Sequence, residues 1–218
     1  MPKAVKSKRN YNSPRRAEQA AATRQAILDA AQRLFEEHGY TATSMAQVAK
    51  AAGVALKTVY LAFETKSGVL RALWHLRLRG DEGPAPVGQR DWYQEVLDEP
   101  DPARQLQLNA RNSREVKARA GGLMEVIRSG ARADADVASL WDNIQAQFYD
   151  NQRAIVKSLA AKKALAPGLG VERGSDLLWT LNHPDVYTLL VNERGWTPNR
   201  YEQWLADATA SQLLGAGR

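Results

Sequence analysis

From residue 16 onward, apolar side chains recur every three or four positions in segment after segment, and no stretch between turn signals alternates apolar with polar. A chain patterned this way can bury its apolar side chains only by packing helix on helix, so the fold class expected is all-α. With 218 residues, 44% of them hydrophobic, it can build a sizeable core. The first helix is expected from near Arg16 to His38, with Ile27, Leu28, Ala31, Leu34 and Phe35 inward and Gly39 as a left-handed cap. Two short helices should follow around Gly53, then a longer one from Thr65 or Lys66 through Leu70, Leu73 and Trp74 to about Arg79. Gly80 to Gly88 breaks every period and is expected to be a flexible loop.

Beyond that loop, Asp91 can cap a short helix through Trp92 and Leu97, and Asp101-Pro102 starts another, an N-cap followed by proline at the first helical position. It should continue to about Arg119, where Gly121-Gly122 interrupts. Asp134 or Asp136 can cap the longest helix, with the stripe Val137, Trp141, Ile144, Phe148, Ile155 and Leu159, closed by Pro167-Gly168. The stretch from Leu177 to Val191 is apolar on most sides and should be buried, with a kink or break at His183-Pro184. Thr197-Pro198 opens a last helix carrying Tyr201, Trp204, Leu205 and Ala208.

Lys and Arg number 30 against 24 Asp and Glu, a formal charge of +6, which favours an acidic partner such as nucleic acid or an anionic membrane surface. Charge alone does not choose between them. The chain has no cysteine, which excludes disulfides, iron–sulfur clusters and thiolate zinc sites. The basic start, Met1 to Arg9, is not followed by an apolar h-region and does not read as a signal peptide. No apolar run is long enough to span a bilayer, so a soluble cytoplasmic protein with no membrane partner is expected. Residues 1–15 read as a basic flexible arm carrying Lys3, Lys6, Lys8, Arg9 and Arg15.

The phrase from Thr43 to Phe63 carries the functional signal. Two short helices crossing steeply need a small residue where they touch and a glycine in the tight turn, and Ala49 and Gly53 supply them. With Val59 set inward at 100° per residue, Phe63, Ala62 and Leu56 also face the core side. Lys57 and Leu61 then point outward, flanked by Thr58 and Tyr60. Such a face suits a recognition helix: a lysine and a hydroxyl reach base edges or phosphates, and a leucine meets a thymine methyl. The bland alternative is two packed helices with an ordinary solvated face. It must then account for small residues, valines and an aromatic standing in register behind a capped amphipathic helix and a basic arm.

At these residues the sequence resembles the TetR (tetracycline-repressor) family of regulators. The resemblance rests on His38-Gly39-Tyr40, on Thr43-Ser44-Met45 through Ala49 to Val54, and on Thr58 through Lys66, and covers roughly residues 16 to 75. It implies an N-terminal three-helix helix-turn-helix domain (residues 16–65) followed by a helical ligand-sensing and dimerisation domain (residues 66–218). It further implies a homodimer that sets two recognition helices in successive major grooves of a palindromic double-stranded DNA operator. Lys66 and Tyr60 would hold phosphates and Thr43 would make another backbone contact, so the DNA-binding set expected is Thr43, Ser44, Lys57, Thr58, Tyr60, Leu61 and Lys66. Ala55 stands where the family often has a capping serine, and Leu61 and Glu64 replace commoner polar or proline choices.

His38, His75 and His183 show no metal-ligand spacing, and neither a nucleophile elbow nor a phosphate or dinucleotide loop is present. No metal, no cofactor and no enzyme activity is expected. His38 should complement the carboxyl end of the first helix. Arg111, Arg114, Lys117 and Arg119 read as a solvated helix face. A small-molecule effector is expected among Trp74, Met124, Arg128, Trp141, Tyr149 and Trp179, with Asn182 and His183 nearby, in a cavity of roughly 300 Å³ or more. Each of these aromatics is also a candidate for plain core or dimer interface. Dimerisation is expected through helices near 137–163 and 171–192. The leading reading is a repressor released by its ligand. A ligand-independent or architectural DNA-binding dimer, and a small-molecule binder with an incidental helix-turn-helix, stand beside it.

Overall fold

The computed structural model describes residues 14–79 and 87–215. The chain runs α1 (Pro14–Ala42), α2 (Met45–Ala52), α3 (Leu56–Phe63), α4 (Lys66–Arg79), α5 (Asp91–Asp98), α6 (Pro102–Gly130), α7 (Ala135–Ala161), α8 (Val171–Leu181), α9 (Pro184–Tyr187) and α10 (Pro198–Leu213). The described residues form no named strand, and an isolated bridge joins Leu165 to Leu214. The fold class is therefore all-α, an N-terminal helix-turn-helix ahead of a helical body. None of the described helices is long and apolar enough to cross a membrane. Most of the expected arm and residues 80–86 of the expected loop lie outside the described residues; Val87–Gln89 forms a single 3-10 turn.

Several ends follow the local chemistry. Asp101 accepts a hydrogen bond from the Arg104 N–H at 2.6 Å ahead of Pro102, and Thr197 accepts one from the Arg200 N–H at 3.2 Å ahead of Pro198. His183 caps α9 through Nδ1, so His183-Pro184 is the expected break, after which the backbone passes through a π-helical turn at Thr188–Glu193. Gly39 does break α1, at φ +81°, and one further helical turn continues to Ala42.

The Gly121-Gly122 interruption does not occur: α6 runs unbroken to Gly130. The two glycines lower helix propensity by about 1 kcal/mol each, but packing against α1 decides the outcome. A Cβ on Gly122 would lie 3.1 Å from the Glu36 carboxylate, and one on Gly130 would lie 3.0 Å from the Tyr40 ring. Small residues on this face let α1 and its Tyr40 close onto α6.

Ile27, Val48, Val59 and Phe63 pack in one apolar cluster with Leu70 and Leu73 of α4, Leu123 and Ile127 of α6, and Val137 and Leu140 of α7. The N-terminal helices thus share a core with the helical body, and α4 is the element that joins them. Gly68 makes the α3–α4 corner possible, since a Cβ there would sit 2.2 Å from the Phe63 carbonyl oxygen. A second cluster gathers Val96, Leu106, Ile155, Leu159, Leu178 and Leu213, and a third gathers Tyr187, Tyr201 and Leu205. The segment 177–191 is less covered than expected: Leu178 and Tyr187 are buried, whereas Leu177, Leu181, Leu190 and Val191 are half-buried and Leu189 is exposed.

Candidate nucleic-acid interface and effector cavity

The short pair α2–α3 is fixed by hydrogen bonds its own sequence supplies. Ser44 Oγ accepts from the Gln47 N–H at 3.3 Å while Gln47 Oε1 accepts from the Ser44 N–H at 2.7 Å, a reciprocal cap at the head of α2. Gly53, at φ +68°, turns the chain out of α2 and donates its N–H to the last carbonyls. Val59 and Phe63 anchor α3 inward. The Arg24 guanidinium lies 4.3 Å over the Phe63 ring and donates to the Ala62 carbonyl at 3.1 Å, holding the end of α3 against α1.

This anchoring leaves Lys57, Tyr60 and Leu61 on an exposed face, Leu61 being 76% and Tyr60 48% accessible, with Thr58 half-buried at its edge. Leu56 and Ala62, expected on the core side, are exposed as well. An eight-residue helix held by two side chains four apart buries only a narrow stripe. A charge, a phenol and an aliphatic side chain side by side on a protruding helix can meet phosphate, base edge and thymine methyl.

Thr43 and Lys66 are turned elsewhere. Thr43 is only 2% exposed, its hydroxyl 2.9 Å from the Gly39 carbonyl and 3.1 Å from that of Leu34, where it ties off the end of α1. Lys66 Nζ donates to the Tyr40 carbonyl at 2.8 Å and the Thr43 carbonyl at 3.0 Å, and sits 4.1 Å from the centre of the Tyr40 ring. The ammonium thus closes the corner between α1 and α2 from the first residue of α4, and burial lowers its pKa. In the free chain both donors are engaged within this corner, where orphan carbonyls at a helix end compete for them.

The same corner is fastened to the helical body. Tyr40 donates its hydroxyl to Asp134 at 2.5 Å, and Ser67 donates to Asp136 at 3.0 Å. Asp134 also caps α7, accepting from the Asp136 and Val137 N–H groups at 3.0 and 3.4 Å. The Tyr40 hydroxyl, the backbone N–H groups of α7 and the Lys66 charge hold the Asp134 carboxyl below its ordinary value. Burial, then Asp134, raises the Tyr40 phenol.

Between α4, α5, α6 and α7 lies a cavity of about 110 Å³. Its apolar walls include Trp74, Leu78, Trp92, Val96, Met124 and Phe148; its polar lining includes Asn109, Ser113, Lys117, Gln145, Gln152 and Asn182. It is smaller than the roughly 300 Å³ expected from sequence. Of the proposed ligand residues, the cavity brings together Trp74 and Met124, with Asn182 beside them. The other four lie apart from it. Trp141 packs against the core shared with α1, Tyr149 donates to Asp176 at 3.1 Å, Trp179 makes an edge contact with His183 at 4.9 Å, and Arg128 pairs with Asp185 at 3.1 Å and with Glu125. Helical spacing put these side chains on the right helices, and the rotation of each helix sent them to another face.

The residue sequence reasoning misplaced most is Lys117, read as part of a solvated basic face and in fact only 7% exposed. Its Nζ donates to Asn182 Oδ1 at 2.5 Å and to the Tyr201 hydroxyl at 2.7 Å, while Asn182 Nδ2 donates to Ser113 at 2.9 Å and Gln152 at 3.1 Å. A signal was available: Leu106, Ala110, Ser113, Lys117, Ala120 and Met124 advance by alternating fours and threes along α6.

Residues 27–73 match the family of bacterial regulatory proteins described as the tetR family. Across 86% of its length the chain is 26% identical to 80% of the transcriptional regulator AcrR from Shigella flexneri. Its fold is similar to that of NalD, the secondary repressor of the MexAB-OprM multidrug efflux pump in Pseudomonas aeruginosa, with a TM-score of 0.71 at 22% identity over 89% of this chain and 98% of NalD. It is similar also to SmeT, from Stenotrophomonas maltophilia, solved with triclosan (TM-score 0.69, 21% identity, 90% of this chain and 93% of SmeT). The helix-turn-helix of residues 27–73 is thus matched in sequence by the tetR family of bacterial regulatory proteins, and the chain as a whole is similar in fold to NalD and SmeT.

Proposed function

We propose that the chain is a ligand-responsive repressor that binds a near-palindromic operator as a homodimer and leaves it when a small molecule enters the cavity. One observation carries this reading: Trp74 walls the cavity while Lys66, eight residues earlier on the same helix, closes the corner beneath the DNA-reading pair. A helix of that length spans about 12 Å and moves as a rod. A ligand that displaces Trp74 therefore tilts α4 and disturbs the spacing of the two DNA-reading heads, a coupling of about 1–3 kcal/mol. NalD is described as a repressor and SmeT has been solved with triclosan, which supports both parts of the reading.

In this proposal residues 1–15 form a basic arm, residues 16–65 the DNA-binding domain and residues 66–218 the sensing and dimerisation domain. Lys57, Thr58 and Leu61 meet base edges, Tyr60 meets phosphate, and Ser44 positions the head of α2. The half-covered apolar side chains between Leu177 and Val191, together with α7, supply the dimer interface.

The test is affinity for a cognate and a scrambled duplex across a salt series. Lys57→Ala and Thr58→Ala are expected to relax sequence preference, by about 1–3 kcal/mol of discrimination per lost base contact. Lys66→Ala, which loosens the corner and removes no phosphate contact, is expected to weaken both duplexes at an unchanged salt slope. Equal losses for both duplexes at Lys57 and Thr58, with altered preference at Lys66, would reverse these roles.

A further inference from the structure

Lys117 is the unusual group of the cavity. Among the described residues no aspartate, glutamate or arginine lines the space around it, and its polar neighbours include amides and hydroxyls: Asn182, Gln152, Ser113 and Asn109. These groups form one continuous patch, since Lys117 is hydrogen-bonded to Asn182, and Asn182 to Ser113 and Gln152. As an ammonium Lys117 has three N–H donors, and the described residues accept two, at Asn182 and at the Tyr201 hydroxyl. A buried lysine without a carboxylate partner bears the full cost of desolvating its charge. Burial accordingly lowers its pKa well below the ordinary lysine value.

Resting on the reading of this cavity as the effector site, we propose that its effector is a small amphipathic organic acid, an aromatic ring bearing a carboxylate, whose anion completes the coordination of Lys117. A cationic ligand would find no counter-charge among the described residues of the walls and would be repelled by a charged Lys117. A neutral ligand can offer the third donor a carbonyl or hydroxyl oxygen but brings no counter-charge to the buried ammonium. A carboxylate supplies the partner that the described residues do not, and the pair formed in this buried site holds both charges. Trp74, Trp92 and Phe148 meet the ring, and Met124, unbranched and adaptable, gives way to admit it. At about 110 Å³ the cavity is smaller than the roughly 150 Å³ that holds one benzene ring, so entry of the ligand requires side chains such as Met124 to give way.

Binding then carries a proton with it. The amine is neutral in the free protein wherever the pH lies above its lowered pKa, and a bound carboxylate restores the ammonium, so complex formation takes up about one proton in that range.

The test uses the full-length protein with two matched pairs, benzoate with benzamide and 2-naphthoate with 2-naphthamide, read by quenching of tryptophan fluorescence from Trp74 and Trp92. In each pair that binds, the acid is expected to bind at least about tenfold more tightly than its amide. Lys117→Met should lose that preference while the amide affinity changes by less than about threefold. The Lys117 13Cε resonance of the wild type should titrate below those of the other lysines and move up toward them with acid bound. Calorimetry in two buffers of different ionisation enthalpy, at a pH between the two titrations, should show uptake of about one proton per acid. The NMR and calorimetric arms need no variant, so they decide the matter even where Lys117→Met does not fold. An amide binding as well as its acid, an acid binding without proton uptake, or no binding by either acid overturns the proposal. Acid binding that leaves DNA affinity unchanged overturns instead the ligand-responsive reading, and release of DNA by a hydrophobic cation keeps that reading while overturning this one.

Discussion

Asp134→Ala is expected to destabilise the fold by about 2–5 kcal/mol, because one carboxylate performs two tasks. Its Oδ1 caps α7, and losing such a cap costs about 0.5–2 kcal/mol. Its Oδ2 accepts the Tyr40 hydroxyl, and a hydrogen bond to a charged group contributes about 1.5–3 kcal/mol. Tyr40→Phe removes only the second, so a double-mutant cycle by urea unfolding should show coupling above about 0.5 kcal/mol between the two positions. The pH dependence has a definite sign on each side. The depressed Asp134 carboxyl contributes stability that is present above its unfolded value of about 3.9 and is lost as pH falls through the lower folded value. The raised Tyr40 phenol contributes stability that is present below about 10 and is lost as pH rises beyond it. The stability gap between wild type and Tyr40→Phe should therefore be flat through neutral pH and shrink on both flanks. A gap independent of pH down to acid unfolding would show that the hydroxyl and the carboxylate are not coupled.

Trp74→Ala should have an effect at least as large. The side chain is almost fully buried, and truncating a buried aromatic to alanine costs about 3–5 kcal/mol. It also removes one wall of the cavity. The expected outcome is a lower melting temperature together with tighter binding of a two-ring ligand such as 2-naphthoate relative to benzoate. If Trp74 transmits ligand entry to α4, the ligand that still binds should no longer release DNA, and Trp74→Phe should restore part of the response. Full release by ligand in the alanine variant would place the transmission elsewhere.

The parts of the molecule legible from sequence are those governed by nearest neighbours in the chain. Asp101-Pro102 and Thr197-Pro198 are local hydrogen-bond chemistry, and the structure bears them out. Gly53 is likewise a local requirement of its turn. What the sequence hid depends on contacts between distant segments. Gly121-Gly122 looks like a break until α1 lies against α6, where Gly122 faces the Glu36 side chain. Lys117 looks solvated because its neighbours Arg111, Arg114 and Arg119 are basic, although its helical phase is that of Leu106 and Ala110. Resemblance assigned Thr43 and Lys66 by position in the chain, whereas the free carbonyls at the end of α1 set where their donors point.

The central claim is that α3 reads sequence from a symmetric pair of heads, and the most direct measurement is selection of bound duplexes from a random-sequence library by the full-length protein. The account predicts enrichment of a near-palindrome whose half-site centres lie about one helical turn, roughly 34–36 Å, or a multiple of it apart. With Lys57→Ala, enrichment should weaken at one symmetric pair of positions and persist at the rest. A bound pool with no shared sequence, or one whose motif is unchanged by Lys57→Ala and Thr58→Ala, would contradict it.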